Sequence, residues 1–226
     1  MQAIILAAGK GARLAPLTNT IPKALIGIGG KPLIQHTLEA LPDVVREIHI
    51  VVGHLKDQII KTIGSVSNGR PIFYTEQKIL DGTGGALHLL KDKLTGTFLV
   101  VNGDDLYAEE DLERLAEHPV GILLFKTKES IKTSALLDEE KRFVGIEAEP
   151  PKDEQKYRIC GAYVLDERFF HYPLAKTPVR GHAEFSLPHT LVRMSKDIPI
   201  KIELATSWLP IGTQKELADA RAKFGS

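Results

Sequence analysis

The sequence predicts an α/β fold of three layers, helices on both faces of a mostly parallel mixed sheet, with a smaller and more antiparallel part after it. Three observations carry this. Short apolar runs alternate with helical patterns through the first half of the 226 residues. Such alternation implies βαβ crossovers, which cover both faces of a parallel sheet. A glycine-rich segment follows the first apolar run directly. After Phe125 the apolar runs lose their intervening helices, the mark of antiparallel neighbours.

In chain order, the apolar runs at 3–7, 47–52, 71–75, 97–101 and 120–125 predict five strands. Helical patterns at 32–41, 55–63, 85–94 and 110–118 separate them. In the first of these, Leu33, Ile34, Thr37, Leu38 and Leu41 recur at helical spacing. Strands are then predicted at 134–137, 143–148 and 158–165, and Pro150-Pro151-Lys152-Asp153-Glu154 reads as a polar turn. Helices resume at 184–194 and 214–223, around a strand at 200–204. With no internal repeat, the chain reads as a single domain over 1–226, without an appended repeat domain. Residues 1–125 form its first part and 126–226 its second.

The chain carries 29 Lys and Arg against 29 Asp and Glu. This balance excludes the broad basic face that a nucleic-acid binder needs to release phosphate counterions. The balance is uneven locally, however. Lys10, Arg13 and Lys23 all precede the first acidic residue, Glu39. Cys160 is the only cysteine, so no intrachain disulfide can form and a cytoplasmic setting is expected. Its strand-like context reads as a buried small hydrophobe. The apolar N-terminus lacks a basic region before it, and no window approaches the ~18 apolar residues of a membrane span.

Chemistry is expected where the first strand runs into Leu6-Ala7-Ala8-Gly9-Lys10-Gly11-Ala12-Arg13-Leu14. A glycine loop there lies at the carboxyl edge of the sheet, where open α/β sheets bind ligands. Glycine lets backbone N–H groups approach an anion closely. The G-x-G-x-x-G pattern fails because Leu14 stands in the third glycine's place, which removes an NAD-dependent oxidoreductase. Gly30-Lys31-Pro32 fails as a Walker A loop. The 9–22 loop is long for a compact domain, as functional loops often are. By residue type alone, Gly9 and Gly11 also read as turn glycines, Lys23 as a solvated lysine, Asp104 as a cap and Glu184 as a first-turn helix charge.

Taken in order, the segments resemble a known family. The glycine loop with Pro16, Thr18 and Pro22-Lys23-Ala24-Leu25 resembles the signature of the sugar-1-phosphate nucleotidyltransferases. So do Gly30-Lys31-Pro32-Leu33-Ile34, Gly82-Thr83-Gly84-Gly85-Ala86, Val101-Asn102-Gly103-Asp104, Gly161-Ala162-Tyr163-Val164, Glu184 and Trp208-x-x-Ile211-Gly212-Thr213. The resemblance implies a Rossmann-like fold. It also implies a reaction in which a sugar 1-phosphate attacks the α-phosphorus of a nucleoside triphosphate and releases pyrophosphate.

On this resemblance, Leu6, Ala7, Ala8, Gly9, Lys10, Gly11 and Ala12 would hold the triphosphate. Arg13 and Lys23 would be catalytic, Arg13 on the departing pyrophosphate and Lys23 on the α-phosphate or sugar phosphate. Asp104 would hold Mg²⁺, and Asp105 would be structural. Gln77, Gly82 and Thr83 would face the base, and Asn102, Gly161 and Glu184 the sugar, with UTP or dTTP ahead of GTP as donor. Two departures stand out. Pro210 occupies the place of a second metal-ligand aspartate, so weaker Mg²⁺ binding is expected, and Glu149 precedes Pro150 where the family often has lysine. These gaps leave a non-catalytic nucleotide-sugar binder as one alternative; a cytidylyltransferase for phosphocholine-like substrates is another.

Overall fold

A ten-stranded sheet forms the middle layer of the computed structural model, which describes residues 1–179 and 182–225. From one edge its strands are Thr133–Leu137, Arg142–Ala148, Ile200–Leu204, Gly121–Thr127, Lys156–Asp166, Thr97–Asn102, Gln2–Ala7, Glu47–Val52, Arg70–Glu76 and Val66–Ser67. The pairings give every strand one direction except Arg142–Ala148, Lys156–Asp166 and Val66–Ser67. The sheet is therefore mixed and mostly parallel. Of the antiparallel strands of the second half, Arg142–Ala148 and Lys156–Asp166 extend this sheet.

The helices are α1 (Leu33–Glu39), α2 (Lys56–Ile63), α3 (Thr83–His88), α4 (Glu109–Ala116), α5 (Leu187–Met194) and α6 (Gln214–Phe224). Strand parity divides the core between the two faces. Ile4, Val51, Val100 and Ile122 pack with Leu87, Leu187 and Leu191 of α3 and α5. Ala3, Ile5, Ile50, Val101 and Leu123 pack with Ile34, Leu38, Ile59, Leu112 and Leu115 of α1, α2 and α4. Cys160 is fully buried on this second face. A third cluster joins Leu14, Ile26, Ile28, Leu33 and Leu106 to Ile211, Leu217 and Ala220. It clamps the loop after the first strand to the end of the chain.

Several expected elements differ from those observed. The helix expected at 184–194 begins at Leu187. Glu184 instead lies in a hairpin, Ala175–Val179 against His182–Ser186, opposite Thr177. Ser186 then caps α5 by accepting from the His189 N–H. The helix expected at 85–94 starts at Thr83 and stops at His88. The expected loop from Gly9 to Pro22 holds two 3₁₀ turns, Ala12–Leu14 and Leu17–Asn19, and Lys23–Leu25 forms a third. Two short strands, Asp105–Tyr107 and Trp208–Pro210, pair across about a hundred residues.

Candidate active site

The glycine loop leaves the first strand at the carboxyl edge of the sheet. Gly11 takes a left-handed conformation, φ 62°, and opens the Ala12–Leu14 turn. A Cβ there would lie 3.0 Å from both Lys23 Cβ and Thr18 Cγ2, so the glycine lets the loop fold back on itself. The Thr18 hydroxyl donates to the Gly11 carbonyl at 3.0 Å, and a ring nitrogen of His54 lies 3.0 Å from the Thr18 carbonyl oxygen. The His54 N–H donates to the Ala8 carbonyl at 3.1 Å. Leu14 is sealed into the third core cluster, which fixes the exposed Arg13 beside it.

These constraints shape a cavity of about 210 Å³ lined by Leu6, Ala7, Gly9, Gly11, Ala12, Arg13, Lys23, Ala24, Asp104 and Gly212. Lys23 forms an ion pair with Asp104. Arg13 has no ion pair among the described residues. A Cβ at Gly212 would lie 2.8 Å from the Arg13 guanidinium, so that glycine makes room for it. Gly212 itself donates its N–H to Glu216 at 2.9 Å. A guanidinium and an ammonium group on one cavity, with Gly9 and Gly11 in its lining, is chemistry suited to an anion.

Asp104 and Asp105 are neighbours with opposite surroundings. Asp104 faces the cavity. Asp105 is buried, accepting at 3.4 Å from both the Asn102 side-chain amide and the Ile211 N–H. Burial, and next the charge of Asp104, push the Asp105 pKa up to about 7. Among the described residues no group of three or more His, Cys, Asp or Glu could hold a metal. The donor set still suits Mg²⁺, which takes one or two carboxylates and completes its shell with phosphate oxygens and water. Asp104 is the carboxylate that would hold it. Pro210 pairs with Asp105 and offers no side-chain ligand.

Beyond the cavity, Gly161 has φ 73°, and a Cβ there would lie 2.1 Å from Asn102 Nδ2. The two expected sugar-side residues are thus in contact. The Tyr107 hydroxyl donates to the Cys160 carbonyl at 3.0 Å, holding this strand over the edge. Burial pushes the Cys160 thiol well up, away from thiolate chemistry. Glu184 is half-buried on the hairpin.

On the expected base side, Gln77 is 6% exposed. Its Nε2 donates to Asp81 Oδ1 at 2.8 Å and to the Gly82 carbonyl at 3.0 Å. The Thr83 hydroxyl oxygen accepts from the Leu187 N–H at 3.1 Å, so this side chain pins α5 to α3. Gln77, Gly82 and Thr83 lie outside the lining of the cavity, as do Ala8, Lys10, Asn102, Gly161 and Glu184. Of these Lys10 is exposed and Ala8 buried. Sequence reasoning missed Gly212, Thr18 and His54 as builders of the loop, and Asp81 beside Gln77. It also missed Asp111, a fully buried carboxylate that accepts from the Thr206 N–H at 2.8 Å and the Ser207 N–H at 3.2 Å ahead of Trp208. Thr18 and Gly212 stood inside the motifs that carry the resemblance, without a role, and the Asp81-Gly82 adjacency signalled a turn; His54 and Asp111 carried no signal.

Comparison with known proteins agrees with this geometry. A family model described as nucleotidyl transferase matches residues 2–226. The bifunctional protein GlmU of Methanocaldococcus jannaschii is 32% identical over 222 residues, covering 97% of this chain and 53% of that protein. This chain thus spans about half the length of the curated relatives it matches along its whole length. The UTP–glucose-1-phosphate uridylyltransferase AglF of Haloferax volcanii is 38% identical over 108 residues, covering 47% of this chain and 44% of that protein. Among solved structures, a protein described as a glucose-1-phosphate thymidylyltransferase from Bacillus anthracis, in complex with sucrose, superposes with a TM-score of 0.85 at 25% identity. It covers 100% of this chain and 96% of that one. The inositol-1-phosphate CTP transferase of T. maritima shares the fold, with a TM-score of 0.78 at 21% identity, covering 99% of this chain and 95% of that one. Among the described residues no helix is long and apolar enough to cross a membrane. With its Rossmann-like sheet, its glycine loop and its match over residues 2–226, the chain belongs to the nucleotidyl transferase family.

Proposed function

We propose that the protein joins a sugar 1-phosphate to a nucleoside triphosphate, giving a nucleotide sugar and pyrophosphate, with UTP or dTTP preferred and GTP next. The observation that carries this is the convergence of Arg13, Lys23 and Asp104 with the glycine loop on one cavity. An oxygen of the sugar phosphate attacks the α-phosphorus in line, the bond from that phosphorus to the bridging oxygen breaks, and the electron pair leaves on pyrophosphate. Both reactants are anions, so positioning and positive charge dominate the catalysis.

The glycine N–H groups orient the triphosphate. Lys23, held by Asp104, stands at the reacting phosphate as a point charge. Arg13 spreads its fork over the leaving pyrophosphate. Bound Mg²⁺ would neutralise phosphate charge beside Asp104, whose carboxylate would otherwise repel the substrate. Asn102, Gly161 and Glu184 serve the sugar. The names of the uridylyl- and thymidylyltransferase relatives support the donor order.

Pyrophosphate release over a grid of nucleoside triphosphates and sugar 1-phosphates tests the reading. Turnover with at least one pair is expected. A second reading, a nucleotide-sugar sensor, rests on Pro210 and Glu149 standing where a metal ligand and a lysine are expected. Tight nucleotide-sugar binding with no turnover for any pair would select it and sink the first.

A further inference from the structure

We infer that Asp81 is a positioning residue for base selection: it fixes the Gln77 amide so that only Gln77 Oε1 faces the base, favouring bases with a ring N–H donor. The inference rests on the nucleotidyl-transfer reading above, and on the following geometry.

Gln77 follows the Arg70–Glu76 strand, and its N–H donates to the Val52 carbonyl at 2.8 Å. It therefore lies at the carboxyl edge, two strands from the glycine loop. At a spacing of ~4.8 Å per strand that is roughly 10 Å, a distance that a nucleotide spans from its phosphates to its base. A buried amide side chain has two donors and an acceptor to place. Here both donors of Nε2 have acceptors inside the protein, Asp81 Oδ1 and the Gly82 carbonyl. Reversing the amide would set its oxygen against a carboxylate and a carbonyl, so the orientation is locked. Oε1 accepts from no described residue and stays open to solvent.

Asp81 is itself held in place. The Phe185 N–H donates to its carbonyl at 2.6 Å. The next residue, Gly82, has φ 102°, and a Cβ there would lie 2.4 Å from the Phe185 carbonyl oxygen. The Asp81 carboxylate rests where a Cβ on residue 85 would be, 2.1 Å from it, so only glycine at 85 leaves it room. These contacts tie the orientation of one amide to the hairpin that carries Glu184.

An amide oxygen alone reads a base by accepting. Uracil and thymine offer N3–H and guanine offers N1–H, whereas cytosine and adenine present an acceptor at the corresponding ring nitrogen. A lone pair facing a lone pair leaves a buried acceptor unpaired, which is how a polar site rejects an analogue. The preferred donors are thus UTP, dTTP and GTP over CTP and ATP.

The test is kcat/KM for UTP, dTTP, GTP, CTP and ATP with a fixed sugar 1-phosphate. The wild type should prefer the imide bases at least tenfold. Asp81→Ala frees the amide to turn, so the UTP:CTP ratio should fall at least tenfold, chiefly through KM for UTP. Asp81→Asn, which can keep an oxygen toward Nε2, should restore the ratio. Gln77→Met keeps the packing and removes the acceptor, so it should also flatten the ratio, and it serves should Asp81→Ala fold poorly. A purely structural role for Asp81 would lower all five triphosphates alike and overturn the inference, as would a wild type that favours CTP or ATP. A wild type inactive with every triphosphate would instead sink the functional reading beneath it.

Discussion

Replacing Gly161 by alanine tests the proposed sugar side of the site. Gly161 lies at φ 73°, a left-handed conformation that costs an alanine about 1–2 kcal/mol. The new methyl group would lie 2.1 Å from Asn102 Nδ2 and 2.7 Å from Asn102 Cγ. No side chain tolerates that approach, so Asn102 must rotate away and give up its 3.4 Å contact with Asp105. The backbone strain alone predicts a fall in melting temperature of about 2–8 °C for a chain of this size. The displaced Asn102 predicts a rise in KM for the sugar 1-phosphate of about tenfold, with KM for the triphosphate within threefold of wild type. Steady-state pyrophosphate release against each substrate separates the two. In an Asn102→Ala background the clash is gone, so Gly161→Ala should there cost only the backbone strain. An unchanged sugar-phosphate KM in a variant that shows the melting shift would refute a substrate role for the Asn102–Gly161 contact.

Lys23→Ala removes the cation paired with Asp104 and should lower kcat by about 10²–10³, the usual cost of one lost transition-state donor. Its melting temperature should fall by only about 1–4 °C, because the pair is partly exposed; a kcat within threefold of wild type refutes the role. Gly212→Ala places a Cβ 2.8 Å from the Arg13 guanidinium. Its effect should therefore mimic Arg13→Ala in kcat, and the double variant should be no worse than Arg13→Ala. Additive losses would show that Gly212 acts elsewhere.

Much of the fold was legible because it is written locally. The runs around Ile4, Ile50 and Val100 are apolar and of strand length, and the spacing of Leu33, Ile34, Thr37 and Leu38 is helical. Of the cavity's own residues, Gly9, Gly11, Ala12, Arg13, Lys23 and Asp104 were legible as an ordered pattern. What escaped were contacts made only by tertiary pairing. Trp208–Pro210 is too short to announce a strand, and finds Asp105–Tyr107 only after the chain has folded. Glu184 follows a helix-like text, yet pairing with Thr177 overrides it. Nothing in the Gln77 sequence context says which way an amide will turn. That depends on Asp81, whose own position is set from Phe185, over a hundred residues away.

The Asp105–Pro210 pairing also bears on the proposed Mg²⁺ binding at Asp104. Among the described residues Asp104 is the one carboxylate lining the cavity, and its neighbour Asp105 is turned inward to hold the Ile211 N–H. Pro210 sits directly across from Asp105. Pro210→Asp would restore the carboxylate that the family resemblance expects at this position, and Mg²⁺ can draw on two. The concentration of Mg²⁺ giving half-maximal rate should fall about tenfold. The same change carries a cost without metal. Asp105 is already pushed up to about 7 by burial and by Asp104, and another negative charge pushes it in the same direction. The variant should therefore melt below wild type in EDTA and regain that loss with Mg²⁺ and nucleoside triphosphate. A lower melting temperature that Mg²⁺ does not restore, together with an unchanged Mg²⁺ dependence of the rate, would mean that residue 210 does not reach the cation and that Asp104 works with phosphate oxygens and water alone.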